Sequence, residues 1–197
     1  MSEPFYDANA ASYFAETVAV DLAEIRDRFT ALLAPGATVC DAGCGSGREA
    51  KAFAQQGFRV TAFDACAALV ALAREHTGIP VRHLAFQDLD YHQAFDGIWC
   101  CACLLHVPEA EEQTVFGKLA EALKPGGVWF LSYRRGTGEG HDGERFFRYH
   151  TADTLRAALA RQPGLEILDL WESPDQRPGH SEIWLDGLVR KAGLRPS

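Results

Sequence analysis

The stretch Val39-Cys40-Asp41-Ala42-Gly43-Cys44-Gly45-Ser46-Gly47-Arg48 constrains the fold of this chain more than any other. It joins a short apolar run to a helical pattern through three glycines at alternate positions. Glycine permits tight turns at positive φ and lets the backbone approach a ligand closely. The helix that follows offers free N–H groups and a positive dipole end. In a doubly wound α/β sheet, such a loop lies at the carboxyl end of a strand, where ligands sit. A dinucleotide fingerprint, GxGxxG or GxGxxA, needs a small residue where Arg48 stands, so a nicotinamide cofactor is disfavoured. A tight turn with no ligand is the plain alternative.

The rest of the pattern fits a sheet of that kind. Apolar positions Phe14, Val18, Leu22, Ile25, Phe29 and Leu32 recur at helical spacing, which predicts helix over 7–33, broken once. Strands are expected at 37–40, 58–63, 81–86, 95–101, 128–133, 165–171 and 181–189. Helical patterns separate most of them, which favours a parallel sheet covered on both faces. The last two strands have only a loop between them and suggest an antiparallel hairpin at one edge. Lys124-Pro125-Gly126-Gly127 reads as a sharp turn. The glycine-rich stretch 136–143 reads as a loop long enough to act as a lid. At 197 residues, with no internal repeat, the chain is expected to form one domain over 1–197.

The formal net charge of −8 opposes a broad grip on phosphate backbones, so the expected partner is a small molecule and not nucleic acid. No apolar run is long enough to span a bilayer. Met1-Ser2-Glu3-Pro4-Phe5-Tyr6-Asp7 lacks the basic and apolar regions of a leader, and the chain is expected to be cytoplasmic, as monomer or homodimer. Six cysteines fall mostly in apolar stretches and read as buried thiols. Cys100 and Cys103 form a CxxC with no second pair, so no metal site is expected.

Acidic residues stand where further strands end. Asp64 follows the second strand, where a carboxylate can accept both hydroxyls of a ribose. Asp88 follows the third, after Phe86 and Gln87, where an acceptor suits the exocyclic amine of an adenine with Phe86, Ala65 or Leu89 against the ring. Taken singly, each also reads as a loop acid or helix cap.

Together these features resemble the class I S-adenosylmethionine (SAM)-dependent methyltransferases. The first motif is Val39 to Arg48, and Asp64, Gln87-Asp88, Phe95-Asp96-Gly97-Ile98 through Leu104-Leu105-His106-Val107-Pro108, and Leu123 to Gly127 follow in order. The resemblance covers about residues 5–135. It implies a Rossmann-like, doubly wound, seven-stranded sheet, mostly parallel with an antiparallel last strand. It also implies SAM as cofactor. Gly43, Cys44, Gly45 and Arg48 would form the loop under its methionine part, with Asp41 orienting that loop and attracting the ammonium. Asp64 would hold the ribose, Ala65, Gln87, Asp88 and Leu89 would border the adenine, and the backbone around Cys101 would lie near the methionine end. Residues 1–34 would form a helical cap, with Tyr6 and Tyr13 closing over the cofactor. A looser likeness, through Gly45-x-Gly47-Arg48 and the compact length, is to the tellurite-resistance-like group of small bacterial methyltransferases.

Methyl transfer from a sulfonium is an in-line displacement, so positioning supplies much of the catalysis. A hydroxyl or ammonium acceptor also needs a base. His106 is the expected base or orienter. Tyr133 and Arg134 are expected beside it, with Arg135, Arg145, Arg148 and Arg177 converging on a small anionic or oxygenated acceptor. The rival reading is a SAM-binding module that acts on a protein partner with weak or no catalysis. No Asn-Pro-Pro-Tyr type motif is present for methylation of DNA or glutamine amides.

Overall fold

The structure, a computed structural model, describes residues 3–193; Met1, Ser2 and 194–197 of the expected 1–197 domain lie outside the described residues. Two helices, α1 (Glu3–Thr17) and α2 (Ala23–Thr30), precede β1 (Thr38–Ala42), α3 (Arg48–Gln55), β2 (Arg59–Asp64), α4 (Ala67–Thr77) and β3 (Val81–His83). Then come β4 (Phe95–Cys100), α5 (Glu109–Ala122), β5 (Leu123–Arg135), β6 (Glu139–Asp142), β7 (Arg145–His150), α6 (Ala152–Ala160), β8 (Leu165–Pro174) and β9 (Ile183–Lys191). Local chemistry sets several ends. Cys66 accepts from the Leu69 N–H and caps α4, which Gly78 closes in the left-handed conformation. Thr151 and Thr154 form a capping box at α6.

Seven strands build the expected α/β sheet in the order β3-β2-β1-β4-β5-β9-β8. The β1–β2, β1–β4, β2–β3 and β4–β5 pairs are parallel, and β9 runs antiparallel to both neighbours. The Lys124–Gly127 turn lies inside the start of β5, where pairing with β4 jumps from Phe95↔Leu123 to Gly97↔Val128.

Two expectations are corrected. The stretch 136–143 is no open loop: β6 pairs with β7 as a hairpin, and β7 pairs in parallel with the end of β5, which brings the sheet to nine strands. Glycine-rich composition hid it, but Glu139↔Arg148 and Asp142↔Arg145 face each other across the hairpin, and opposite charges in register support such a pair. The third strand stops at His83, short of Phe86, and residues Phe86–Asp88 form a single 3-10 turn. The Phe86 ring is instead packed edge-on against Phe63, 5.5 Å between centroids.

Along β5, side chains alternate between two cores. Trp129, Leu131 and Tyr133 face α5 and α6, while Val128 and Phe130 join Phe29, Phe53 and Trp99 beneath α2 and α3. The second face opens, toward its carboxyl end, into a cavity lined by Ile25, Trp99 and Phe130. Among the described residues, no helix is long and apolar enough to cross a membrane.

Candidate functional site

Two cavities lie at the carboxyl ends of the parallel strands, and they share a wall made of Tyr6, Tyr13, Gly43, Gly45, Ala102 and His106. The larger holds about 1000 Å³ of atom-free space, open solvent included, and the smaller about 760 Å³. The larger runs from Asp41, Cys44 and Arg48 past Cys101 to Arg134 and Arg177. Asp64, Ala65, Phe86 and Gln87 line the smaller one.

The glycine loop is shaped by need at two positions. Gly43 has φ +67, and a Cβ there would lie 2.5 Å from Cys103 Cβ. Gly45 has φ +53 and lies close under the Tyr13 ring. Both values disfavour any residue with a side chain. Carboxylates hold the loop. Asp64 Oδ2 accepts from the Gly45 N–H at 2.8 Å, and its Oδ1 accepts from the Cys66 N–H at 2.9 Å. Asp41, buried, accepts from the Ala50 N–H at 2.8 Å and so ties the end of β1 to the first turn of α3. Burial, with Glu49 close by, pushes the Asp41 carboxyl up to about 8. Burial also raises the Asp64 carboxyl, against the backbone N–H groups of Cys66 and Gly45. Arg48 does not reach for a ligand: it donates to Glu49 at 2.7 Å and to the Thr17 carbonyl at 3.0 Å, tying α3 to the end of α1.

Helix α1 supplies the aromatic part of the shared wall. Tyr6 and Tyr13 meet edge to face at 5.0 Å. The Tyr6 hydroxyl and His106 Nε2 are 2.8 Å apart, and His106 Nδ1 lies 2.7 Å from the Phe146 carbonyl oxygen. A carbonyl only accepts, so the ring hydrogen is assigned to Nδ1 and Nε2 accepts from Tyr6. Burial, with Arg145 and Arg134 nearby, lowers His106 to about 4. At neutral pH it is an uncharged imidazole that orients neighbours and is a poor base.

The acceptor-side expectations divide by face. Arg134 lines the larger cavity, 4.3 Å over the Phe147 ring and 3.2 Å from Glu182. Arg145 and Arg177 line it too, Arg177 being held by Asp175 at 2.6 Å. Tyr133 does not. It is fully buried on the opposite face, its hydroxyl 3.3 Å from Glu112, because adjacent residues of a strand point to opposite faces. Arg148 shares that side, paired with Glu109 and Glu112, and Arg135 is exposed against Glu172.

Two cofactor-side positions also need revision. Asp88 is exposed and outside the wall of the smaller cavity, because the 3-10 turn presents Phe86 and Gln87 instead. Leu89 is buried in the core. Gln87 lines the cavity and donates to Glu111 at 2.6 Å. Of the cysteines, Cys100 and Cys103 are buried on one face, while Cys101 lines the larger cavity and burial pushes its thiol up to about 12. Asp175, His180 and Glu182 each bring a donor atom within 4.8 Å of the others. Arg177 and Arg134 already occupy two of these acids, and no metal is assigned.

Sequence reasoning missed Ser132, Trp184 and Asp186, which line the larger cavity beside Arg134. A signal existed. Asp186 is the one acid in the apolar run Ile183 to Val189.

Residues 39–127 match the family model described as a methyltransferase domain. A ubiquinone biosynthesis O-methyltransferase from Xanthomonas campestris pv. campestris is 39% identical over 105 residues, covering 50% of this chain and 43% of the relative. The chain thus matches less than half the length of that curated relative. Among solved structures, the Burkholderia thailandensis 1,6-didemethyltoxoflavin-N1-methyltransferase, with 1,6-didemethyltoxoflavin and S-adenosylhomocysteine (SAH) bound, superposes with a TM-score of 0.75 at 27% identity. That match covers 96% of this chain and 88% of the other. The [4+2]-cyclase SpnF shares the fold with a TM-score of 0.74 at 19% identity, covering 97% of this chain and 95% of that one. Residues 39–127 thus resemble a methyltransferase domain, and the chain shares the Rossmann-like fold of a neighbour that binds SAH.

Proposed function

We propose that the chain transfers a methyl group from SAM to a small, oxygenated or anionic acceptor bound in the larger cavity. The observation that carries this reading is the shared wall of the two cavities. Adenosine fits the smaller cavity, where Asp64 lies at the ribose position and Phe86 and Gln87 border the base. The methionine part fits the larger cavity beside Asp41, Cys44 and Cys101. The sulfonium then falls at the wall of Tyr13, Ala102 and His106, facing the part of the larger cavity that Arg134, Arg145 and Arg177 line. Guanidinium groups there suit a carboxylate or another oxyanion.

SAM supplies an activated methyl group. The chain's own residues bind, orient and exclude water. Asp41 meets the ammonium, Asp64 holds the ribose while fixing Gly45, and Tyr6 with His106 holds the wall between the two cavities. A cavity of this size suits a small-molecule acceptor over a protein partner. The toxoflavin methyltransferase, with 1,6-didemethyltoxoflavin bound, supports the same size class. The likeness to the tellurite-resistance-like group supplies no acceptor. Because the same fold hosts a cyclase, the reaction has to be tested and not read from the fold. The test is calorimetric binding of SAH, followed by detection of SAH formed from SAM with a panel of small phenols, carboxylic acids and amines. SAH binding with turnover on an oxygenated or anionic member is expected. Turnover only on neutral apolar acceptors, or no SAH binding, rejects the reading.

A further inference from the structure

Of the two acids at the far end of the larger cavity, one is fully satisfied and the other is not. Asp175 receives two guanidinium N–H groups from Arg177 and the Trp184 indole N–H, and burial is outweighed, so its carboxyl is held down at about 2. It is built into the wall. Asp186 is 2% exposed and lines the same cavity. Its carboxylate accepts one hydrogen bond, from Ser173 Oγ to Oδ2 at 2.6 Å, and among the described residues Oδ1 has no hydrogen-bond partner. Arg28, the nearest cation acting on it, is committed elsewhere, to Asp169 and over the Trp171 ring at 3.6 Å. Most buried polar atoms have a hydrogen-bond partner, and a carboxylate oxygen without one beside a cavity is a functional candidate.

Register places Asp186 close to the proposed reaction. It faces Ser132 directly across β5–β9 and Trp171 across β8–β9. Directly opposed residues share a face, with Cβ atoms about 5 Å apart. Ser132 Oγ in turn accepts from the N–H of Ala102, which belongs to the wall between the cavities. Apolar rings of Trp99, Phe130 and Trp184 line the space around it, and suit a flat acceptor.

We propose that Asp186 Oδ1 takes the proton from the hydroxyl of a flat, aromatic acceptor whose carboxylate meets the cavity arginines. The proposal rests on the methyl-transfer reading above. In the step, the acceptor oxygen forms a bond to the methyl carbon while the carbon–sulfur bond breaks and its electron pair stays on sulfur. The cationic sulfonium becomes a neutral thioether. The hydroxyl proton passes to Asp186, which becomes a neutral carboxylic acid and later releases the proton to water. Burial pushes the Asp186 carboxyl up to about 6, against Ser173 and Arg28, so it is ionised at neutral pH and close to the range where a base works best. The groups that face it are Ser173 from β8, Ser132 and Arg134 from β5, Cys101 following β4, and Arg28 from α2.

The probe is 3,4-dihydroxybenzoate, with benzoate as the analogue that lacks the hydroxyls, each titrated into SAH-loaded protein. Asp186→Asn is expected to weaken the dihydroxy probe about tenfold or more, with benzoate and SAH affinities changed less than about twofold. Methyl transfer to the probe falls about 100-fold or more, and the acidic limb of the wild-type pH–rate profile disappears. Asp186→Glu restores part of the rate. If Asp186→Asn does not fold, Ser173→Ala decides the matter, because loss of its hydrogen bond to the carboxylate moves the acidic limb to higher pH. Equal weakening of both probes, an acidic limb unmoved in the variants, or wild-type protein that binds SAH but neither binds nor methylates the dihydroxy probe overturns the proposal and leaves SAM binding intact. Failure of wild-type protein to bind SAH overturns the underlying reading as well.

Discussion

On one face of β5, Tyr133 meets Glu112, which also accepts from His150 at 2.7 Å and lies 3.8 Å from Arg148. On the other face, Ser132 and Arg134 border a cavity that also takes in Arg145, Arg177 and Asp186. The residue types are much the same, and neighbours in sequence fall on opposite sides. The first set gathers on Glu112 inside the fold, with Arg148 Nε left without a hydrogen bond among the described residues, and its role is stability. The second set surrounds open space and leaves Asp186 short of partners, and its role is recognition. Polar residues at the end of a strand are therefore told apart by whether they meet one another or border open space.

The largest expected effect comes from breaking the closed face. Glu112→Ala strands a buried guanidinium and imidazole, and is expected to cost about 3 kcal/mol or more in urea unfolding. SAH affinity, measured where the variant is still folded, stays as in wild type. Gly43→Ala acts at the wall between the cavities. Positive φ and the 2.5 Å approach to Cys103 are together expected to cost about 2 kcal/mol of stability and to weaken SAH binding. On the open face, Arg134→Met is expected to weaken a carboxylate-bearing acceptor about tenfold, roughly 1.4 kcal/mol by titration, with little change in the SAH titration.

The smallest effect is one of pH. The Asp41 carboxyl stands at about 8 in the empty site and is protonated at neutrality. An ammonium favours its ionised form, so binding releases a proton. SAH affinity is expected to rise several-fold from pH 6 to 8 and then level off, because the proton no longer has to be displaced above the empty-site value. Asp41→Asn flattens that rise.

Much of the fold was legible because glycines, strand-end acids and helix caps act locally. The loop from Gly43 to Gly47 and the antiparallel β8–β9 hairpin both follow from short-range rules. The β6–β7 hairpin was not legible, since its pairing depends on β5 and its composition is that of a loop. Tyr133 was misplaced for a different reason. Alternation tells that Tyr133 and Arg134 face opposite ways, but which one meets the cavity is decided by packing against α5 and α2. Asp88 was lost to a single 3-10 turn that carries its side chain outward. Asp186 was visible as an acid in an apolar strand, yet its meaning depends on Ser132 and Ala102, which lie far away in sequence.

The central claim, a SAM site that spans both cavities at the carboxyl ends of the strands, is tested most directly by titrating SAH into wild type, Asp64→Asn and Tyr133→Phe. The account predicts binding to wild type, a loss of about tenfold or more in Asp64→Asn, and no change in Tyr133→Phe. No binding to wild type, or an equal loss in both variants, would contradict it.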